Sequence, residues 1–482
     1  MSLRDKTAIG VKWTTFSTVF NALLNLVQMA VLARLLSPVD FGLMGMVLIV
    51  VGFGQIFSDM GVSSAIIYRQ DTTREQLSSL YWLNVISGVV ACGALIVFNP
   101  FIVSFYSEPR LNNLIHLASL IFLITPFGQQ YQILLQKDLQ FNRLAGITIL
   151  GGFANAVVAI LLALWGAGVY ALIGGQLANS GARVMALILT HHNRWRPSFH
   201  FARKDLKGYL GFGFYQMGDK TANYFNVYLI QILLGSMLGA RALGYYTLAF
   251  DIIFKPVMAI TPILTRVAFP VFSKIQENKL RMKRGYIKLL QLLSSVNFPI
   301  TLGIAAVAPM AIPMIYGEQW MQSVVLIQIL AGSAVLRSCG SPVSALLLGN
   351  GKAAWGFLWS VGTMVCQFPA LYLGVKLGGA VGAAIAFLFL TCVFSAFSYI
   401  LLIRRLLGPC LQEYLGSMWP ALWMSMVMAL CVFFINITLH NIRQFPMLML
   451  QIMCGTGVYY ALMFFSQKTL TLELIGLLWK KK

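Results

Sequence analysis

The stretch "LLGSMLGARALGYYT" at residues 233–247 decides the fold, because it repeats the pattern of "VLARLLSPVDFGLMG" at residues 31–45 about 200 positions later. Leu238 falls on Leu36 and Gly244 on Gly42, and at the same offset Asn223 falls on Asn21. Two further blocks keep the order: "FYSE" (105–108) matches "IYGE" (315–318), and "WGAGVYALI" (165–173) matches "LGGAVGAAI" (377–385). Each block is short. A shared order at a nearly constant offset marks an internal duplication.

The background to this repeat is apolar. Of the 482 residues 59% are hydrophobic and 10% charged, whereas soluble domains carry about 25% charged residues. Runs of the roughly 20 residues needed to cross a bilayer fall near 13–36, 41–66, 77–98, 114–136, 144–165, 168–190, 209–236, 243–271, 286–312, 321–348, 354–375, 380–402, 417–438 and 446–466. The expectation is an all-α polytopic membrane protein of fourteen transmembrane helices. The second copy begins after six spans, an even number, so the two copies are parallel repeats, and transporters built this way hold their substrate between the halves. The expected organisation is an N-terminal six-helix lobe with its linker loop at 1–205, a second six-helix lobe at 206–405, and two extra helices with a basic tail at 406–482.

The charge balance, 35 Lys and Arg against 14 Asp and Glu, would suggest a nucleic-acid partner in a soluble protein. Its placement gives it another meaning. Basic residues concentrate in loops such as Arg194 to Lys207 and Lys274 to Lys288, which by the positive-inside rule are cytoplasmic. Both termini are then cytoplasmic, and no nucleic acid is expected. The N-terminus "MSLRDKTAIGVKWTTF" lacks an uninterrupted apolar core and a small-residue cleavage site, so it reads as a retained first span. The seven cysteines are scattered without metal-ligand spacing, and read as packing residues. No metal site is expected at His191, His192 and His200. The loops are too short for a soluble catalytic domain, so no enzyme is expected.

Polar residues then stand out against the apolar spans. The first span places Thr14, Thr18, Asn21, Asn25 and Gln28 on one helix face, and the seventh carries Gln216, Lys220 and Asn223 along the corresponding line, with Asp219 beside it. Such a stripe faces protein or water, because unsatisfied polar groups cost several kcal/mol each in hydrocarbon. Two readings stand: interhelical hydrogen bonding, or a cavity shared by the two repeats. At 1.5 Å per residue, Asp219, Lys220, Asp251 and Lys255 lie near mid-depth, and Arg183, Arg266 and Arg337 lie toward the cytoplasmic side. Asp251 and Lys255 stand four residues apart and can neutralise each other. Arg183 and Arg266 can also snorkel to the interface. Lys220, Lys255 and Arg337 lie too deep for that and call for an anion or a cavity. Prolines 256, 262, 270, 299, 309 and 313 mark bendable spans.

Several stretches, among them "MSLRDKTAIGVKWT", "QMAVLARLLSPVDFGLM", "SDMGVSSAIIYRQ", "LYWLNV", "QFNRLA", "LAFDIIFKP", "TRVAFPVFSKIQ" and "IYGEQW", resemble the polysaccharide branch of the multidrug/oligosaccharidyl-lipid/polysaccharide flippase superfamily. The likeness is to the colanic-acid-exporter type of Wzx flippase and runs from Met1 to about Arg405. It implies an inner-membrane flippase that carries polyprenyl-diphosphate-linked oligosaccharide units from the cytoplasmic to the periplasmic face, for exopolysaccharide or lipopolysaccharide assembly. By their depth Lys220, Lys255 and Arg337 would then hold the diphosphate, with Arg266 helping at the cytoplasmic entrance, and Asn21, Asn25, Gln28 and Asn223 are further candidate substrate-binding residues. Asp251 or Asp219 would couple transport to a proton or sodium gradient, with no other cofactor. Membrane lipids and polysaccharide polymerase or export proteins are the expected partners. The rival is a drug antiporter of the same superfamily, which would favour an acidic cavity.

Overall fold

The computed structural model describes residues 3–59, 66, 72–191, 195–206, 210–275, 278–438 and 444–467. All of its regular elements are helical: α1 Leu3–Leu35, α2 Pro38–Asp59, α3 Arg74–Tyr106, α4 Leu111–Lys137, α5 Phe141–Leu164, α6 Val169–His191, α7 Leu210–Lys274, α8 Lys279–Tyr316, α9 Gln322–Gly349, α10 Ala353–Ser398, α11 Leu411–Thr438 and α12 Gln444–Ser466. Short 3₁₀ turns at Arg203–Leu206 and Glu318–Trp320, and a π-turn at Tyr399–Ile403 continued by Arg404–Leu407, complete the path.

Twelve helical segments among the described residues are long and apolar enough to cross a membrane. Two of them fold back on themselves. In α7 the backbone leaves helical geometry at Gly239 (φ 79°, ψ −176°), a left-handed φ that favours glycine, and Gly235 then lies against Leu243. Residues eight apart in a straight helix would be about 12 Å apart. In α10 the break is at Gly378 and Gly379, and a Cβ built on Gly374 would lie 2.8 Å from the Gly382 carbonyl. Twelve such segments stand among the described residues where fourteen spans were expected, and two of the twelve contain these reversals. Large apolar side chains stand exposed along the helices, for example Val97 at 74% and Leu377 at 86%, as lipid contact requires.

The repeat is visible in backbone geometry. Ser107 in "FYSE" and Gly317 in "IYGE" both end a helix with positive φ, 52° and 106°, and the tyrosines before them, Tyr106 and Tyr316, are both buried. The first corner of each copy is also shaped locally. Ser37 caps α2: its N–H and hydroxyl donate to Asp40 Oδ2 at 2.9 and 2.7 Å, while the Asp40 N–H donates back to Ser37 Oγ. Pro38 fills the first helical position, where no N–H is needed. The second copy turns through Gly239 instead.

By packing, the chain divides into two compact units, Met1–Thr247 and Leu248–Lys482, with the division inside α7. The reason lies in how the first half of α7 is held. The Tyr224 hydroxyl donates to the Ile49 carbonyl of α2 at 2.7 Å, Gly52 makes room for the Tyr224 ring, and Phe53 packs edge-on against Phe225. Above these contacts the two repeat-related corners meet directly. A Cβ on Gly42 would overlap the Ala240 carbonyl, and one on Gly244 would overlap the Pro38 carbonyl. In the second unit α8 is central: Phe272, Tyr286, Leu290 and Leu293 form a core with Leu346 and Ile403, and α11 and α12 pack on α8 through Met424, Met428, Tyr459 and Met463. The Tyr459 hydroxyl donates to the Ser295 carbonyl at 2.8 Å.

Candidate functional site

In the second unit Lys255 Nζ pairs with Asp251 Oδ2 at 2.6 Å, one turn apart on the same helix face. The pair is asymmetric: the lysine side chain is 57% exposed and the aspartate 25%. The carboxylate therefore anchors a cation that projects outward. Beside it, Phe254 is buried and stacks on Phe250. Arg337, half-buried on α9, places its guanidinium carbon 5.9 Å from the Phe254 ring centroid, within range of a cation–π attraction. Phe254 thus holds Arg337 against α7, while the next residue, Lys255, projects from that helix with its own partner, Asp251.

In the first unit the polar stripe of α1 divides. Gln28 is buried and donates to Asn155 Oδ1 of α5 at 3.4 Å. Asn21 lies against Gly152, where a Cβ would overlap its Oδ1, and its amide donates to the Ser17 carbonyl. Asn25 is exposed and donates back to the Asn21 carbonyl. Interhelical bonding therefore accounts for Gln28, while Asn25 remains open. In α7, Lys220 is half-buried and Asn223 exposed. The side chains of Asp219 and Arg266 lie outside the described residues, as do those of Gln216, Arg194 and Lys207.

Sequence reading passed over the partners of the stripe. Asn155 fits over Gly175, and Asn179 and Arg183 of α6 both face Gly151, while Arg183 Nη2 donates to Gln132 Oε1 of α4 at 3.3 Å. The available signal was the glycine placement: Gly151, Gly152 and Gly175 each lie where a polar side chain needs room.

The segment 195–206 is strapped to the end of α3, which opens with a Thr73–Gln76 capping box. Trp195 is buried, its ring centroid 5.9 Å from Tyr81 and 5.5 Å from Tyr131. Trp82 Nε1 donates to the Ser198 carbonyl at 2.8 Å. The Asp205 carboxylate accepts from the Ser79 hydroxyl at 2.7 Å and lies 3.0 Å from His200 Nε2. The Ser79 hydrogen bond, with help from His200, holds that carboxyl below its usual pKa. A depressed folded-state pKa favours the docked segment above the ordinary carboxylate range, and the contribution is lost as pH falls through the lowered value. Ser79→Ala and Asp205→Asn are expected to loosen the strap, read as faster trypsin cleavage after the exposed Lys204. Unchanged cleavage would show that the aromatic contacts alone hold it.

Among the described residues no group of His, Cys, Asp and Glu is placed to hold a metal ion.

Comparison with known proteins agrees with this architecture. The family profile described as polysaccharide biosynthesis protein matches residues 31–325. The chain is 34% identical over 429 residues to the lipopolysaccharide biosynthesis protein WzxC of Escherichia coli, covering 88% of this chain and 87% of that one. It is 33% identical over 387 residues to the teichuronic acid biosynthesis protein TuaB of Bacillus subtilis, covering 80% and 79%. Among solved structures, the lipid II flippase MurJ in an inward closed conformation superposes with a TM-score of 0.76 over 95% of this chain and 99% of that one, at 13% identity, which is a likeness of fold. With most of its length matched at this identity, the chain belongs to the polysaccharide biosynthesis protein family.

Proposed function

We propose that this chain is a flippase that moves undecaprenyl-diphosphate-linked oligosaccharide repeat units from the cytoplasmic to the periplasmic face of the inner membrane by alternating access, for exopolysaccharide or lipopolysaccharide assembly. Family membership supplies the polysaccharide context. The observation that carries the reading is the Lys255–Asp251–Arg337 arrangement: two cations on apolar helices, one projecting outward from its carboxylate and one steered by Phe254. Arg offers a planar fork to phosphate oxygens and Lys a point charge. An acidic cavity for cationic drugs does not fit this set. Lys220 and Asn223 are assigned to substrate binding on the first unit, and Arg266 to the entrance. The exposed amide of Asn25 suits sugar hydroxyls. Both termini are cytoplasmic in this reading, and the polysaccharide polymerase receives the product.

Removal of the protein is expected to stop polymer export and leave lipid-linked repeat units on the cytoplasmic leaflet. Leaflet-selective labelling of those lipids checks it: units that reach the periplasmic leaflet without being polymerised would point to an enzyme of polymerisation instead. Gradient coupling is assigned to Asp251 or Asp219, the acids near mid-depth. Asp251→Asn and Asp219→Asn are expected to flatten the dependence of flux on the proton or sodium gradient; full gradient-dependent flux in both would leave Asp251 as a fixed partner of Lys255.

A further inference from the structure

Arg183 has no role in the binding and coupling set assigned above. It stands eight residues before His191, the last residue of α6, about 12 Å along the helix from that end. Helical side chains lean toward the N-terminus, so its stem points away from the nearer membrane face. The stem packs on α5: a Cβ on Gly151 would overlap Arg183 Cγ and lie 2.8 Å from Cδ. Its described polar contact is one hydrogen bond to Gln132, and Gln132 is neutral. Among the described residues no carboxylate pairs with Arg183. Asn179, one turn earlier on α6, turns its Oδ1 to the same glycine. A guanidinium has five N–H donors, so a fork held between α4, α5 and α6 retains donors for a doubly accepting anion.

We propose that Arg183, positioned by Gly151 and Gln132, is a phosphate-binding residue within the first unit, taking a phosphate or diphosphate group. The proposal rests on the flippase reading for the identity of its ligand as a lipid headgroup, while the same chemistry would also take free phosphate. The test uses the purified full chain in lipid nanodiscs, with undecaprenyl diphosphate, undecaprenol and inorganic pyrophosphate as probes. Arg183→Gln is expected to weaken undecaprenyl diphosphate binding about tenfold or more, the scale of a charge-assisted hydrogen bond, and to leave undecaprenol binding unchanged. Arg183→Lys should recover part of the loss. Gly151→Ala, which displaces the stem without removing charge, should also weaken binding, and it serves if Arg183→Gln fails to fold.

Loss of the lipid probe alone supports a headgroup site, and parallel loss of pyrophosphate supports a free-phosphate site. Wild-type affinity in folded Arg183→Gln and Gly151→Ala, with wild-type flipping intact, overturns this proposal and leaves the flippase reading standing. A wild-type chain that binds neither phosphate probe and flips no lipid overturns both.

Discussion

Gly42→Val and Gly244→Val are each expected to reduce polymer export to background, with protein still reaching the membrane. The two residues are equivalent in the repeat, and each sits where the other copy's backbone passes. A Cβ at 42 meets the Ala240 carbonyl and one at 244 meets the Pro38 carbonyl. Rotation of a side chain cannot relieve a collision with a backbone carbonyl, so either the corners part or the helices shift. Overpacking of this kind costs on the order of 3 kcal/mol, enough to displace an equilibrium between conformers that differ by a few kcal/mol. Gly93→Val is the control, because nothing lies within 4 Å of a Cβ there, and it should export normally. Export by the Gly42 and Gly244 variants equal to that control would show that transport does not need these backbones to meet.

Lys255→Gln and Arg337→Gln are expected to lower export by tenfold to a hundredfold each, the range of a contact worth about 1.5–3 kcal/mol to a charged group. Lys255→Arg should be milder because it keeps the charge. Phe254→Leu should resemble a weak Arg337 variant, since it removes the ring that holds the guanidinium while preserving bulk. Lys220→Gln tests the first unit in the same way. Transport assays normalised to membrane protein level decide the matter. If Lys220→Gln, Lys255→Gln and Arg337→Gln all insert, fold and export at the normal rate, these cations are packing partners and the substrate headgroup is bound elsewhere.

Much of the architecture was legible because it depends on local chemistry. The positive-φ turns at Ser107 and Gly317 coincide with the matched "FYSE" and "IYGE" blocks, and the Asp251–Lys255 pair follows from four-residue spacing alone. The hairpin at Gly239 shows in sequence only as a glycine between two apolar runs. The reversal uses little chain, with non-helical backbone at Gly239 alone. The site was legible in part. Arg337 was read as a deep cation from its place in an apolar run, whereas its neighbour Phe254 is far away in sequence and carries no polar signal.

The sequence by itself determined that the chain is a membrane protein, that it is duplicated in parallel, and which turns and helix faces carry polarity. These follow from hydropathy, repeat order and the 3.6-residue period. Only the tertiary structure decided which neighbour each face meets. Gln28 and Asn25 lie on one stripe, yet one is bonded to Asn155 and the other is exposed; Arg183 lays its stem over Gly151 of α5; and the first half of α7 packs with α2. Helical periodicity fixes a direction around one axis. The partner on that side is set by close approach of segments distant in the chain, through glycines whose importance appears only when two backbones are brought together.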